Sequence, residues 1–496
     1  MMPSIVPISE AIAHLHGADP TAEPITVIGT EAIRSSFDQT CLQQALNTRE
    51  APGVSRVVLN PDAHAGYGAP VGCVLSSPSH IYPGPVGVDI KCSMSLLQLN
   101  LPHEEITSKE ARRAVIDALV ERLPTGAGKG QRSVKKARHI EYELGKRAAC
   151  EGASASICDE LGIPRIWRDA CEDAAHTGHD ETSNSLYARF TKHEVAKGAA
   201  FLHSKLQQMG SYGGGNHFGE ANKVSILDEQ RDVARRFGLR DSCIAFLSHC
   251  GSRGFGYYLA QNQFRTLQEQ FAVRGTAFPG RDRELVYAEL GSPEANDYLD
   301  DLALGANFAT LNHLLINALV LEAFEEIFPG VRGELVYFIS HNIARKEIID
   351  GRTEWVHRKG ATRAFPAGHP ALAGGRYEST GHPILLPGNP IAGSAIMVAT
   401  PGAEKSCFSV NHGAGRAMSR SRAARELSQH DVDARMLAAD ISSNCRRYPI
   451  DEAPEAYKNF DEVLRSVEKA DLARCVARLS ARFVLKDGDT SNGGAA

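Results

Sequence analysis

The sequence predicts a mixed α/β fold in one large domain, and three observations carry that prediction. Short β-prone runs bounded by Gly, Pro, Asn or Ser alternate with helix-periodic stretches along the chain. No internal repeat, heptad series or linker interrupts the alternation. The 496 residues are 43% hydrophobic and 23% charged, ordinary globular proportions that exclude disorder or a collagen-like repeat for the bulk of the chain. The expectation is mixed β-sheets surrounded by helices, with a metal site at strand ends; a division near residue 320 is the alternative.

Taken in order, the β-prone runs are 57–59, 244–247, 335–339, 384–386, 395–398 and 407–410. Thr107 with Glu110 offers a capping box for a helix whose Val115, Ile116, Leu119, Val120 and Leu123 line one face. A polar, Ala-rich helical stretch runs from about 148 to 208, the core of a helical insertion expected at about 130–208. It carries no chemical motif and is expected to cover the sheet, with a flap facing the substrate as one form of that cover. A further helix is expected from 416 to 427. Residues 490–496 read as a frayed tail.

Composition narrows the function. With 54 Lys and Arg against 59 Asp and Glu, the net charge of -5 is too mild for a globally basic nucleic-acid binder. The first ten residues lack the basic and apolar segments of a secretory signal, and no apolar run reaches the roughly 18 residues of a membrane span. The nearest, 314–324, is broken by Asn317 and Glu322. A soluble, cytoplasmic protein with no membrane partner is therefore expected. Eleven cysteines, an odd number with no CxxC pair, argue against a disulfide framework or a zinc knuckle.

Four of the β-prone runs end in the same way. Residues 57–59 lead to Asp62 and His64, 244–247 to His249, 335–339 to His341, and 407–410 to His412. A buried strand that delivers a polar residue at its end fixes that residue on a rigid support. Asp89 and Cys92 stand three residues apart in Gly87-Val88-Asp89-Ile90-Lys91-Cys92-Ser93, and Asn216 and His217 sit on the Gly-rich loop 213–220. Carboxylate, thiolate and several imidazoles suit Mn, Fe, Co or Zn better than Ca or Mg.

The phosphate signals are separate. Gly413-Ala414-Gly415 precedes the helix expected from Arg416, whose free N–H groups would face an anion, and Arg416, Arg420 and Arg422 add charge. Between residues 345 and 425, 12 Lys and Arg against 5 Asp and Glu give a local excess of +7 and leave -12 elsewhere. That concentration suits a nucleotide or phosphate-backbone site. Gly126-Ala127-Gly128-Lys129-Gly130 lacks the spacing and hydroxyl of a Walker motif.

These segments resemble the RtcB family of GTP-dependent RNA ligases. The resemblance rests on Pro61 to Gly68, Gly87 to Cys92, Gly213 to Glu220, His249 to Gly254, Ser340-His341-Asn342, His357 to Ala364, His412 to Arg420 and Asp451 to Lys458, in the family's order over most of the chain. It implies an RtcB-like catalytic domain that joins RNA 3'-phosphate or 2',3'-cyclic phosphate ends to 5'-hydroxyl ends, in RNA repair or tRNA splicing. GTP and two Mn ions would be used through a covalent His-GMP, and an archease-type activator is an implied partner. By resemblance, Asp89, Cys92, His217, His249 and His341 are the metal ligands, with Cys92 bridging, and His412 is the nucleophile. Asn216 would contact phosphate, while Glu220, Ser394, Ala414, Gly415, Tyr457 and Lys486 would surround the guanine nucleotide.

This chain departs from the family pattern at two sites. Lys91-Cys92-Ser93 stands where Gly-Cys-Gly is usual, which places a cation beside the metal site, and Asn389-Pro390-Ile391 intervenes before Ser394 where Ser-Met-Gly is common. The alternative function is a metal-dependent phosphohydrolase or nuclease that activates water without nucleotidylation and has no need of His412. A nucleotide-binding module without turnover would tolerate loss of ligands, yet all five are present.

Overall fold

The computed structural model describes residues 4–17 and 23–488, so the tail expected at 490–496 lies outside the described residues. Two large sheets dominate. One contains, in spatial order, Ser4–Pro7, Ile12–His16, Ile25–Ile28, Arg56–His64, Val71–Ser77, Arg352–Lys359 and Asn342–Ile349. The main path of the other runs Gly333–Ser340, Ser93–Pro102, Cys243–Cys250, Phe218–Ile226, Ala473–Leu485, Gly393–Ala399 and Pro383–Asn389. A two-stranded ladder, Ala361–Arg363 with Ser409–Asn411, carries the chain toward His412. Helices surround these sheets, as the mixed α/β expectation requires.

Five of the six predicted β-runs fall inside longer strands. The exception is 407–410, where Cys407 and Phe408 adopt φ of 52° and 49°. Two consecutive left-handed residues cannot extend a strand, so pairing begins only at Ser409.

The helix predicted after residue 107 is Lys109–Val120, and Val115, Ile116 and Leu119 are buried as expected. Its cap is Ser108, one residue later than the capping box placed it. The Ser108 hydroxyl accepts from the Ala111 N–H at 3.0 Å, while the Thr107 hydroxyl donates back to the Glu104 carbonyl. The helix expected at 416–427 shrinks to Arg420–Glu426, capped by Ser419. Arg416 is instead bridged to Tyr457, and its guanidinium donates to the carbonyls of Met418 and Asp451.

The largest element escaped the periodicity reading. Pro293–Ile327 is a single 35-residue helix with Ser292 as N-cap and Pro293 in its first turn, and it runs unbroken through residue 320. Its length and apolar content would suit a membrane span, but 94% of its most apolar window is buried inside the protein. A helix buried on all sides shows no apolar stripe. Its polar residues face protein partners: Asp301 accepts from Arg189, His193 and Gln263, and Asn317 donates to the Ser95 hydroxyl.

Within the stretch expected at about 130–208 lie the helices Tyr142–Glu151, Ala155–Leu161, Asn184–Lys197 and Ala199–Leu206. Tyr142–Glu151 and Asn184–Lys197 pack on the long helix, which itself lies against the Cys243–Cys250 strand. This stretch therefore covers the long helix, and the long helix covers the sheet. The long helix also braces the site: Asn312 donates to the Gly251 carbonyl at 3.0 Å, and the His313 ring bonds the Cys250 carbonyl at 2.9 Å.

Candidate functional site

Strand register brings the predicted ligands together. Ser340 pairs with Ser93, Ser93 with Cys250, and His249 faces both Met94 and Phe218. Cys92, His217, His249 and His341 therefore stand at the same end of four neighbouring strands. The ligand atoms of Cys92, His217 and His249 lie within 4.8 Å of one another, and all three residues are buried. Cys92 Sγ is 3.4 Å from His217 Nε2 and 3.2 Å from His249 Nε2. Asp89 Oδ2 is 3.0 Å from His217 Nε2, and His341 Nε2 is 3.2 Å from His249 Nε2.

These contacts fit a cation. His249 Nδ1 bonds the Asn216 carbonyl at 3.1 Å; a carbonyl only accepts, so Nδ1 carries the proton and Nε2 turns a lone pair to the cluster. Burial first, and then the neighbouring imidazoles, push His249 and His341 well below the usual imidazole range, toward the neutral form that metals take. Nδ1 of His217 and of His341 are buried with no hydrogen-bond partner. A mixed S, N and O donor set of this kind suits a transition metal.

His412 stands beside the cluster, its ring centroid 4.6 Å from that of His341. Its Nδ1 lies 2.7 Å from Asp62 Oδ2 and 2.9 Å from the Gly360 carbonyl, both acceptors. The proton is thereby fixed on Nδ1, and Nε2 keeps its lone pair. Gly360 is needed at this point: its φ is +66°, and a Cβ there would sit 3.0 Å from His412 Cε1 and 2.9 Å from the Gly72 nitrogen. Asp62 occupies a bulge between the pairings of Leu59 and His64. Lys458 Nζ clamps that bulge, donating to the carbonyls of Pro61 at 3.1 Å and Ala63 at 2.8 Å.

One cavity of about 350 Å³ is lined by Asp89, Cys92, Asn216, Glu220, His249, His341, Ser394, His412, Ala414, Gly415, Tyr457 and Lys486. Of the residues singled out as site residues, only His217 is absent from its lining. Glu220 is buried, and its Oε1 has no partner. Burial raises its pKa to about 7, with Asn222 and Lys486 opposing. Across the cavity, Glu452 gathers Tyr457 Oη at 2.6 Å, Arg416 at 3.1 Å, Arg420 at 2.8 Å and Lys486 at 3.1 Å. Asn389 Oδ1 accepts from the N–H groups of Ile391 and Ala392 and so closes the turn before Ser394.

Three expectations need correction. Because the helix starts only at Arg420, Gly413-Ala414-Gly415 does not lie at a helix N-terminus, and the Ala414 N–H donates to the Pro387 carbonyl. The local excess of +7 is not a free basic surface: Arg345 and Arg363 pair with Asp173, Arg358 with Glu347, and Arg416 with Glu452. Lys91 does not face the metal ligands. Its backbone takes φ 51°, and its Nζ reaches the Asp173 carbonyl at 3.0 Å, His176 Nε2 at 2.7 Å and Thr310 Oγ1 at 2.8 Å, beneath the site.

Sequence reading gave Asp62, Lys458 and Glu452 no role, although each stands in a quoted segment; the signal was an acid or a lysine among small residues and prolines. Glu172, Asp173 and His176 were missed because the helical stretch that carries them shows no motif. Glu172 accepts from the Ser340 N–H at 3.0 Å and from Arg363 Nε at 2.5 Å.

Comparison with known proteins gives a consistent result. Residues 44–487 match the family model described as tRNA-splicing ligase RtcB. The tRNA-splicing ligase RtcB of Aeropyrum pernix is 35% identical over 90% of this chain and 92% of its own length. Those of Thermococcus kodakarensis and Nanoarchaeum equitans are each 33% identical, over 90% and 93% of this chain and 90% and 95% of their own lengths.

Proposed function

The chain belongs to the RtcB family, and from that premise we propose that it is an RNA ligase joining a 3'-phosphate or 2',3'-cyclic phosphate end to a 5'-hydroxyl end, with GTP and Mn. The observation that carries the reading is His412: Asp62 and Gly360 hold Nδ1, so a bare Nε2 stands beside a buried Cys/His cluster. An Nε2 freed in this way can attack phosphorus or take a proton from water, and a covalent His-GMP is what separates the ligase from the hydrolase.

In this reading Asp89, Cys92, His217, His249 and His341 would hold two Mn ions, which would supply positive charge to phosphoryl oxygens. His412 Nε2 attacks the α-phosphorus of GTP, the bond to pyrophosphate breaks, and a His-GMP phosphoramidate forms. A 2',3'-cyclic end is first opened by water, which adds to phosphorus as the bond to the 2'-oxygen breaks, and an oxygen of the RNA 3'-phosphate then takes the GMP from His412. The 5'-hydroxyl of the second end attacks the activated 3'-phosphorus and expels GMP. Glu220, with its unpartnered oxygen, accepts from the N1–H and amine of guanine. Lys486, Tyr457 and the arginines around Glu452 face the ribose and phosphates, together with Asn216, Ser394, Ala414 and Gly415.

Incubation with radiolabelled GTP and Mn, followed by a denaturing gel, tests the reading. The expected result is covalent label that is stable to alkali, labile to acid and absent from His412→Ala, while that variant still binds Mn. No label on the unsubstituted protein would return the chain to the hydrolase alternative, and label retained in His412→Ala would overturn His412 as the nucleophile.

A further inference from the structure

Asp62 holds two imidazoles. Its carboxylate takes Nδ1 of His412, and its main-chain carbonyl takes Nδ1 of His64 at 2.9 Å. A carbonyl only accepts, so Nδ1 of His64 is protonated and Nε2 carries the lone pair. That nitrogen has no hydrogen-bond partner among the described residues, and His64 lines the same cavity as His412. The residue is outside the metal-ligand set and is used by none of the steps above. Burial pushes its pKa down to about 4 against the opposing pull of Asp62, with His412 and Lys458 adding to the fall, so the free ring is a neutral base. Lys458 fixes the bulge that presents it.

We propose that His64 Nε2 is the proton acceptor for the hydroxyl that attacks in the joining step. The inference rests on the ligase reading. Two of that reaction's transfers, by His412 on GTP and by the 3'-phosphate on His-GMP, use nucleophiles with no proton to lose. The third does not. As the bond from the 5'-oxygen to the 3'-phosphorus forms, the bond from that phosphorus to the GMP oxygen breaks, and its electron pair leaves with GMP. The hydroxyl proton passes to His64 Nε2, and the resulting imidazolium gives it up to water between turnovers. Asp62, His412 and Lys458 are the charged or titratable groups that act on His64, and Lys359, Arg416 and Arg420 line the cavity with it.

The test separates labelling from joining in His64→Ala and His64→Gln, with GTP and Mn saturating. Both variants should still take covalent label from GTP, while joining of RNA ends falls by about 10²–10⁴-fold. Added imidazole should restore part of the joining in His64→Ala, where the side chain leaves a space, and none in His64→Gln. The acid limb of the joining rate against pH should disappear in both. Joining within a few-fold of the parent would overturn the proposal and leave proton removal to another group. Equal loss of labelling and joining in both variants would also overturn it, by making His64 a positioning residue. Failure of the ligase reading is seen separately, as absence of label on the unsubstituted protein.

Discussion

The metal-ligand cluster and the ionic network beneath it are two buried polar regions in contact, and their hydrogen bonding is opposite. In the network every charge is answered. Glu172 takes Ser340 and Arg363, Asp173 takes Arg345 and Arg363, and Lys91 reaches Asp173, His176 and Thr310. Burial alone would raise both carboxyls, but Arg363, with Arg345 at Asp173, more than offsets it and holds both below the usual carboxylate range. In the cluster, by contrast, His217 and His341 each keep an orphaned Nδ1, and the Nε2 of His217 and of His249 crowd one thiol. Satisfied buried polar groups mark structure, and unsatisfied ones mark a place where something binds. His341 joins the two, because Glu172 grips Ser340 next to it.

The sharpest way to break this comparison is to substitute one residue on each side. Cys92→Ala should lose bound Mn and all RNA joining, yet change the stability of the metal-free protein by no more than about 1 kcal/mol. Metal analysis and chemical denaturation of the purified variant, with Cys158→Ala as control, read both effects. Retained metal would move Cys92 to the structural side.

Arg363→Met should do the reverse. It leaves Glu172 buried without its cation, and breaking a buried pair from one side costs about 3–5 kcal/mol. Denaturation midpoints should fall accordingly, while the folded fraction still binds Mn. A loss below about 1 kcal/mol would show that the network is not what holds Ser340 and its neighbour in place.

Glu220 sharpens the contrast further, since it is an orphan on the nucleotide side. Its folded pKa of about 7 lies above the ordinary carboxyl value of 4.5. The folded protein therefore binds the proton more tightly than the unfolded chain does, and stability falls as pH rises from 4.5 through 7. Glu220→Gln should remove this slope and be more stable at pH 8 by up to about 3 kcal/mol, with little difference near pH 5. Melting curves of the metal-free protein across that window check the sign. Bound GTP should flatten the parent's slope and ATP should not, because adenine offers no donor pair to the carboxylate; equal effects of the two would show a rebuilt base pocket.

The strand ends and the candidate ligands they carry were legible because strand propensity is local: short β-prone runs followed by His can be found one by one. Asp62 illustrates what was not legible. Its motif was visible, but its partner His412 is 350 residues away, and only the fold shows that one carboxylate sets the tautomer of another segment's imidazole. Lys91 was misplaced for a related reason. Sequence adjacency to Cys92 says nothing about direction, and a left-handed residue in a tight turn sends its side chain to the opposite side. The long helix was hidden by its own burial, since periodicity reports only half-buried elements.

The position of Ala473–Leu485 has a consequence for how the molecule is assembled. This strand lies late in the sequence, yet it sits inside its sheet, between Phe218–Ile226 and Gly393–Ala399. Lys458 likewise reaches back 397 residues to Pro61 to hold the bulge that aims Asp62. Contacts of such separation form slowly, because the loop-closure entropy is lost before any of them stabilises the chain. A nascent chain can therefore bring Asp89, Cys92, His217, His249 and His341 together well before the sheet is closed and Asp62 is held against His412. During synthesis the residues of the cluster are available early, and the clamp on the bulge that carries Asp62 arrives only with the last tenth of the chain.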